Sequence, residues 1–319
     1  MELSWMVGLA FVLDLVLGDN RQLPHPVRWI GSAATWMERR VRPRITHQKR
    51  AGCLTTLILV GGTYGTAWSL LAGLKAIDAS LHFVMETMLL YTTLSTRGLY
   101  DESRPVLLHL RAGNLDNARE SLRWIVGRDT RHLDRKETVR ATVETVAENT
   151  VDGVIAPLFY ACIGGAPLAL AYKCANTLDS MFGYRNERYR EFGWASARLD
   201  DAANWLPARL GGPLLAMSAW VVGLNARNAW RTMWRDGHKH LSPNAGIPEA
   251  AVAGALNVQL GGAQSYRGQW VEKPAIGTNL KALETEDIAR SHRLLFAASA
   301  LTLLSFLAVR TTMMIHSTN

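Results

Sequence analysis

Apolar and polar residues are segregated along this chain in long blocks, and the blocks predict helices rather than strands. Five or six apolar stretches stand out: Leu3 to Leu17, Cys53 to Leu74, Phe83 to Leu94, Val154 to Tyr172, Leu206 to Leu224, and Leu294 to Val309. A bilayer-spanning helix needs about 20 mostly apolar residues. The second stretch has that length and the last nearly does, while the first and third are short enough to be tilted, interfacial or packed against other helices. The fourth carries Pro157 and Gly164-Gly165-Ala166-Pro167, and the fifth Pro207 and Gly211-Gly212-Pro213. Such residues free backbone groups that lipid cannot satisfy, so these two stretches read either as broken helices beside a site or as ordinary kinked spans. No alternating strand pattern of any length is found. The expected fold is an all-α polytopic membrane protein with about 4–6 apolar helices, some broken or re-entrant.

The polar blocks have a helical period too. From Arg97 to Asn149, ten Lys/Arg and nine acids are interspersed with Val106, Leu107, Leu110, Leu115, Ala118, Leu122 and Ile125. Gly113-Asn114 predicts the turn between two helices, Asp116 helps begin the second, and Gly127 is expected to end a helix in a left-handed turn. The domain expectation is one membrane domain over residues 1–319, with a cytoplasmic helical segment at 97–149 and a second polar segment at 226–293.

Loop charge gives orientation. Asp19 to Ala51 holds eight Lys/Arg against two acids, and Asn225 to Arg293 holds nine against six. The positive-inside rule assigns these tracts to the cytoplasm. The loop Lys173 to Trp205 joins them only if the stretches flanking it are re-entrant or partly inserted. The N-terminus is read as a first membrane helix interrupted by Asp14, not a cleavable signal, because Glu2 stands where a signal carries positive charge.

Composition adds little beyond this. The chain is 319 residues long, 48% hydrophobic and 19% charged. Its net charge of +8 does not imply nucleic acid as a partner, because no basic helix, finger or aromatic-basic sheet accompanies it. Cys53, Cys162 and Cys174 have no metal or redox spacing and read as small core residues. Walker, GxGxxG, HExxH and GxSxG signatures are absent.

Chemistry therefore rests on polar clusters at helical spacing. In HPVRWIG, His25 and Arg28 are either a substrate contact or part of a juxtamembrane anchor with Trp29. In IVGRDT, Arg128 is either a phosphate contact or the partner of Asp129. Arg140, Glu144, Glu148 and Asp152 recur every four residues and would stack on one helix face, where like charges repel unless Mg²⁺ or an Arg offsets them. Lys173, Asn176 and Asp179 share another face. Asp200 and Asn204 are four apart, and Asp201 shares a neighbouring face with Arg198; adjacent aspartates before a membrane helix are costly unless paired or metal-bound. In SPNAGIPEAAVAGALNVQLGG, Pro248 reads as the first helical residue with Glu249 in its first turn, which leaves Asn244 and Asn257 without a reason.

GRDT, VETVAENTVDGVIAPLFY, YKCANTLDSMFGY, RLDDAANWLPARL and SPNAGIPEAAVAGAL, with LDLVLGD and HPVRWIG before them, resemble the CobD/CbiB family of cobalamin biosynthesis, adenosylcobinamide-phosphate synthase. The blocks run in order over essentially the full length. The resemblance implies a multi-pass inner-membrane enzyme with its site on the cytoplasmic side. It would join the free propionate of the corrinoid adenosylcobyric acid to (R)-1-aminopropan-2-ol phosphate, or ethanolamine phosphate, with ATP as cosubstrate and Mg²⁺. Other late-pathway cobalamin enzymes or a second copy are further partners it allows. Activating a carboxylate as an acyl phosphate needs metal-binding carboxylates, cations and a base. Glu148, Asp152 and Lys173 form the expected catalytic set, with Glu148 favoured as base. Glu144, Glu148, Asp179, Asp200 and Asp201 are candidate metal ligands. His25, Arg28, Arg128, Asn176, Arg185, Arg198, Asn204, Asn244 and Glu249 are candidate substrate contacts. A corrinoid-binding scaffold or transporter, and an AmpE-like signalling protein, are the alternatives.

Overall fold

The structure is a computed structural model and describes residues 2–19, 25–184, 186–266 and 269–317. In chain order its elements are α1 (Glu2–Leu17), α2 (Pro26–Val41), α3 (Gln48–Ile77), α4 (Ala79–Tyr91), α5 (Thr96–Arg111), α6 (Leu115–Arg123) and α7 (Arg135–Thr150). A π-helical turn, Val151–Ile155, leads into α8 (Ala156–Phe182), followed by α9 (Trp194–Ala203), α10 (Trp205–Val221), α11 (Ala226–Asp236) and α12 (Gly246–Leu256). The hairpin β1 (Gln259–Tyr266) and β2 (Gln269–Gly277) precedes α13 (Glu286–Ser317). The chain is an all-α membrane protein. Among the described residues, three helical stretches, Gln48–Ile77, Arg135–Phe182 and Glu286–Arg310, are long and apolar enough to cross a membrane.

The chain divides into two compact units. The first holds residues 1–95, 156–204 and 303–319. Its core joins Ile30 and Ala34 of α2, Ala51 of α3, Cys174, Leu178 and Phe182 of α8, and Phe192. A side chain at Gly52 would overlap the Phe192 carbonyl, so glycine sets how closely α3 approaches that loop. Buried Glu38 pairs with Arg42 at 2.8 Å and Arg188 at 2.9 Å, tying α2 to the loop after α8.

The break expected in α8 is present. Gly164 and Gly165 leave helical geometry, Gly165 with φ +64°, a value that favours glycine. Glu86 of α4 accepts from the Ala166 backbone N at 3.3 Å and lies 3.2 Å from His82, giving the freed backbone a protein partner inside an apolar region. The break expected in α10 is absent: that helix runs unbroken through Gly211, Gly212 and Pro213. Side chains at Gly211 and Gly212 would overlap Val151, Met233 and Ile247, so these glycines serve close packing.

The second unit, residues 96–155 and 205–302, contains both polar segments read from sequence. Val106, Leu107, Leu110, Ala118 and Leu122 are buried in its core, as their helical spacing predicts. Asn114 caps α6, and Asp134 with Glu137 forms a reciprocal capping box on α7. Gly127 does not adopt the left-handed turn expected of it, because α6 has already ended at Arg123. Pro248 is the third residue of α12, not the first. Asn257 ends that helix in the left-handed conformation (φ 59°) and accepts from Asn225 and Asn228 side chains, which explains it as a C-cap.

The hairpin corrects the expectation of no strands. Its ladder is antiparallel, with an irregularity between Leu260 and Gly262. QLGGAQSY lacks the β-branched, alternating composition that marks strands. Buried Leu260 and Ile276 fasten it to the helical core. Asp236, fully buried, joins α11 to β2: Arg235 donates at 2.6 Å, Lys239 lies at 2.7 Å, and the Gly277 backbone N donates at 2.8 Å. Burial pushes this carboxyl up, yet those hydrogen bonds outweigh it and hold it well below the usual carboxylate range. A carboxyl lowered in the folded state contributes stability above its unfolded value, lost as pH falls through the folded one. Asp236→Asn should therefore cost about 2–4 kcal/mol, measured by thermal unfolding in detergent at pH 7, and the difference from wild type should shrink well below pH 4.

Candidate active site

In the first unit, α8 and α9 gather one polar network. Asp200 accepts from Asn176 at 3.2 Å and from Asn204 at 3.1 Å. Asn204, buried, accepts in turn from the Tyr172 hydroxyl at 2.8 Å, and Tyr172 stacks on Tyr160 at 5.0 Å. Both amides and both rings thus orient one half-buried carboxylate. Asp179 lies one turn beyond Asn176, over Gly183, where any side chain would overlap its Oδ1.

Next to this network is a cleft of about 420 Å³ lined by Gly183, Tyr184, Tyr189, Arg190, Trp194 and Arg198, with Asp201 at its wall. Arg198 Nη1 and Asp201 Oδ2 are 3.8 Å apart. Cations, one carboxylate and aromatic faces suit a ligand bearing phosphate and ammonium together. Arg185 lies outside the described residues.

His25 and Arg28 enter from the start of α2, 3.9 and 3.7 Å from Asp19. Burial chiefly, and then the positive charges of Arg28 and Lys173, lower the His25 pKa against the opposing pull of Asp19. The lowering favours the neutral ring, and Arg28 and Lys173 are the cations whose charge acts on it. His25 Nδ1 is buried and has no hydrogen-bond partner among the described residues.

The other candidates belong to the second unit. Glu144, 3% exposed, accepts from Arg128 at 2.6 Å and from the Gly261 backbone N at 2.8 Å, with Arg140 Nε 4.0 Å away. Arg128 is itself 7% exposed, so the pair is a buried salt bridge. Arg128 pairs with Glu144 rather than its neighbour Asp129, whose carboxylate accepts from the Arg131 backbone. Glu148 and Asp152 follow on α7 and the π turn, both half-buried. An α-helix advances about 40° for every four residues, so charges at that spacing drift around it. The wider π turn works against that drift at Asp152, and such turns often mark functional sites. Asn244, buried, accepts from Arg209 at 3.4 Å, and Glu249, also buried, faces His240 at 3.8 Å rather than solvent at a helix start.

Among the described residues, no three His, Cys, Asp or Glu side chains converge as a metal site. Tyr160, Tyr172, Arg190, Trp194 and Arg209 were not found by sequence reasoning. They lie beside the acidic motifs, but a tyrosine closing an apolar run or an arginine inside one has no distinctive spacing.

The family description "CobD/Cbib protein" matches residues 7–295, which takes in every candidate residue. The chain belongs to the CobD/CbiB family. Its relatives include "Cobalamin biosynthesis protein CobD" of Geobacter metallireducens, 50% identical over 98% of both chains. That of Klebsiella pneumoniae is 49% identical over 97% of both, and "Cobalamin biosynthesis protein CbiB" of Salmonella arizonae 47% over 97% of both. No solved structure matches.

Glu144 and Glu148 of α7 should separate in experiment. Removing Glu144 strands a buried guanidinium, which costs about 3–5 kcal/mol. Glu144→Ala should therefore reduce the folded protein recovered from membranes, by size-exclusion profile and thermal unfolding, more than Glu148→Ala, whose carboxylate is half-buried rather than 3% exposed.

Proposed function

We propose that this chain acts in cobalamin biosynthesis as a membrane enzyme that forms an amide, joining the propionate carboxylate of adenosylcobyric acid to (R)-1-aminopropan-2-ol phosphate or ethanolamine phosphate. Its family and the names of its relatives support the pathway. The observation that carries the reaction is the first unit's amide-bearing network around Asp200, beside a cleft with arginines and one carboxylate. The setting is the inner membrane with the site on the cytoplasmic side, where the arginine-rich tracts belong.

A carboxylate and an ammonium do not condense in water, so the carboxylate is activated with ATP. One carboxylate oxygen attacks the γ-phosphorus, its bond to the β-γ bridging oxygen breaks, and ADP leaves with that electron pair. The amine, having lost a proton to a base, attacks the acyl carbon and expels inorganic phosphate. Lys173 and Arg28 offset charge on the transferred phosphoryl. Arg198 and Arg190 hold the amino-alcohol phosphate, and Asp201 faces its ammonium. Glu148 is the base, and Asp152 beside it keeps that face acidic.

The donor set fits Mg²⁺ arriving with the nucleotide better than a resident ion, since Mg²⁺ takes one or two carboxylates together with phosphates. Asp179 and Asp200 would hold it, and when bound it supplies positive charge for the phosphoryl transfer. Glu144 is here a positioning residue, since Arg128 and the Gly261 backbone occupy its carboxylate.

Detergent-purified protein, given Mg·ATP, the corrinoid acid and aminopropanol phosphate, should yield the amide by mass spectrometry, and none without ATP. Glu148→Ala and Lys173→Met should each lower turnover at least ~100-fold, the lower end of the range for one general base or one charge-stabilising group. Intact corrinoid binding without turnover in the wild type would favour a corrinoid-binding scaffold instead.

A further inference from the structure

In the second unit, a groove of about 400 Å³ runs between α10, α11 and α13. Its walls are Met217 and Trp220 of α10, Trp230 of α11 and Leu301 of α13, and Arg227 is its charged lining residue. Two walls come from apolar segments: α10, and the membrane-length stretch of α13. Trp220 is 77% exposed and Trp234, edge-on to Trp230 at 6.3 Å, is 68% exposed.

Helix α11, ARNAWRTMWRD, turns Ala229, Thr232, Met233 and Asp236 inward. Its outer face carries Arg227, Trp230, Arg231 and Trp234. Arg235 is held by Asp236, but among the described residues Arg227 and Arg231 pair with no carboxylate. Exposed tryptophans alternating with arginines on one amphipathic helix are the pattern of a helix lying in a membrane interface. This helix also walls a tryptophan-bearing groove that Arg227 lines, with Arg231 one turn further along the same exposed face.

We propose that this groove binds one anionic phospholipid, an acyl chain lying along Met217, Trp220, Trp230 and Leu301 and the headgroup phosphate held by Arg227 and Arg231. The chemistry at both ends selects the ligand. An apolar channel of this size rejects a soluble anion, and two guanidinium groups prefer a net negative headgroup to a zwitterionic one. The tract's arginine excess assigns it to the cytoplasmic leaflet, where anionic lipid is available.

The test uses the full chain in nanodiscs whose lipids carry brominated acyl chains, which quench tryptophan fluorescence on contact. Brominated phosphatidylglycerol should quench at least threefold more strongly than brominated phosphatidylcholine at equal mole fraction. The preference should weaken in each single variant, R227Q and R231Q, and vanish in the R227Q/R231Q double variant, while W220F/W230F loses the extra quenching itself. Both variants should keep amide formation and unfolding temperature, which separates lost lipid binding from lost folding. Equal quenching by the two lipids in wild type, or an undiminished preference in R227Q/R231Q, overturns the proposal. So does a Trp234→Cys chain that cross-links to a second copy in phosphatidylglycerol discs, because the groove is then covered by protein.

Discussion

The carboxylate of Glu144 draws together parts of the chain that are far apart in sequence: Arg128 before α7, and the backbone of Gly261 in the hairpin. Burying an ion costs several kcal/mol unless geometry and hydrogen bonds compensate. Here a guanidinium meets one oxygen and a backbone N–H the other, so the charge survives burial. The loop ending at α7, the helix itself and the hairpin are thereby held in one arrangement. Glu148 and Asp152 sit one and two turns further along the same helical run and inherit their placement from it. The same rule recurs at Asp236 and Asp287, each fully buried and each bridged by two cationic side chains. In a chain with so few charges for its length, the buried ones organise the polar unit.

Much of this was legible in the sequence, and the reason differs by element. Helices α1, α3, α4, α8, α10 and α13 each cover an apolar stretch, because exclusion of charge over many residues leaves a mark that local detail does not erase. The Gly164-Gly165 break was also visible, since Gly-Gly-Ala-Pro withholds both helix propensity and a backbone donor. At Gly211-Gly212-Pro213 the same reasoning left a broken helix and an ordinary span both open, and the helix is unbroken. Whether a glycine pair breaks a helix or lets a neighbour approach depends on Val151, Met233 and Ile247, which lie far away in the sequence. The hairpin escaped notice because its register comes from two buried anchors, Leu260 and Ile276, and not from alternation.

The acidic motifs were legible as a group but not by role. Spacing of four set Glu144, Glu148 and Asp152 in line, and nothing in that spacing distinguishes a carboxylate closed off by Arg128 from those left half-buried one and two turns on. Likewise Asn176, Asp200 and Asn204 were each found, whereas the tyrosines that orient them were not, because their role depends on how α8 packs against α9. The family resemblance pointed to these blocks, and the physical chemistry of each pairing distinguishes one carboxylate from the next.

The central claim is that ATP activates the propionate as an acyl phosphate before the amine arrives. An oxygen-18 label in both oxygens of that carboxylate tests it most directly, because the attacking oxygen must leave with the phosphate. The account predicts one labelled oxygen per turnover in inorganic phosphate and one retained in the amide carbonyl, by mass spectrometry of both products. Amide formation with unlabelled phosphate would contradict it.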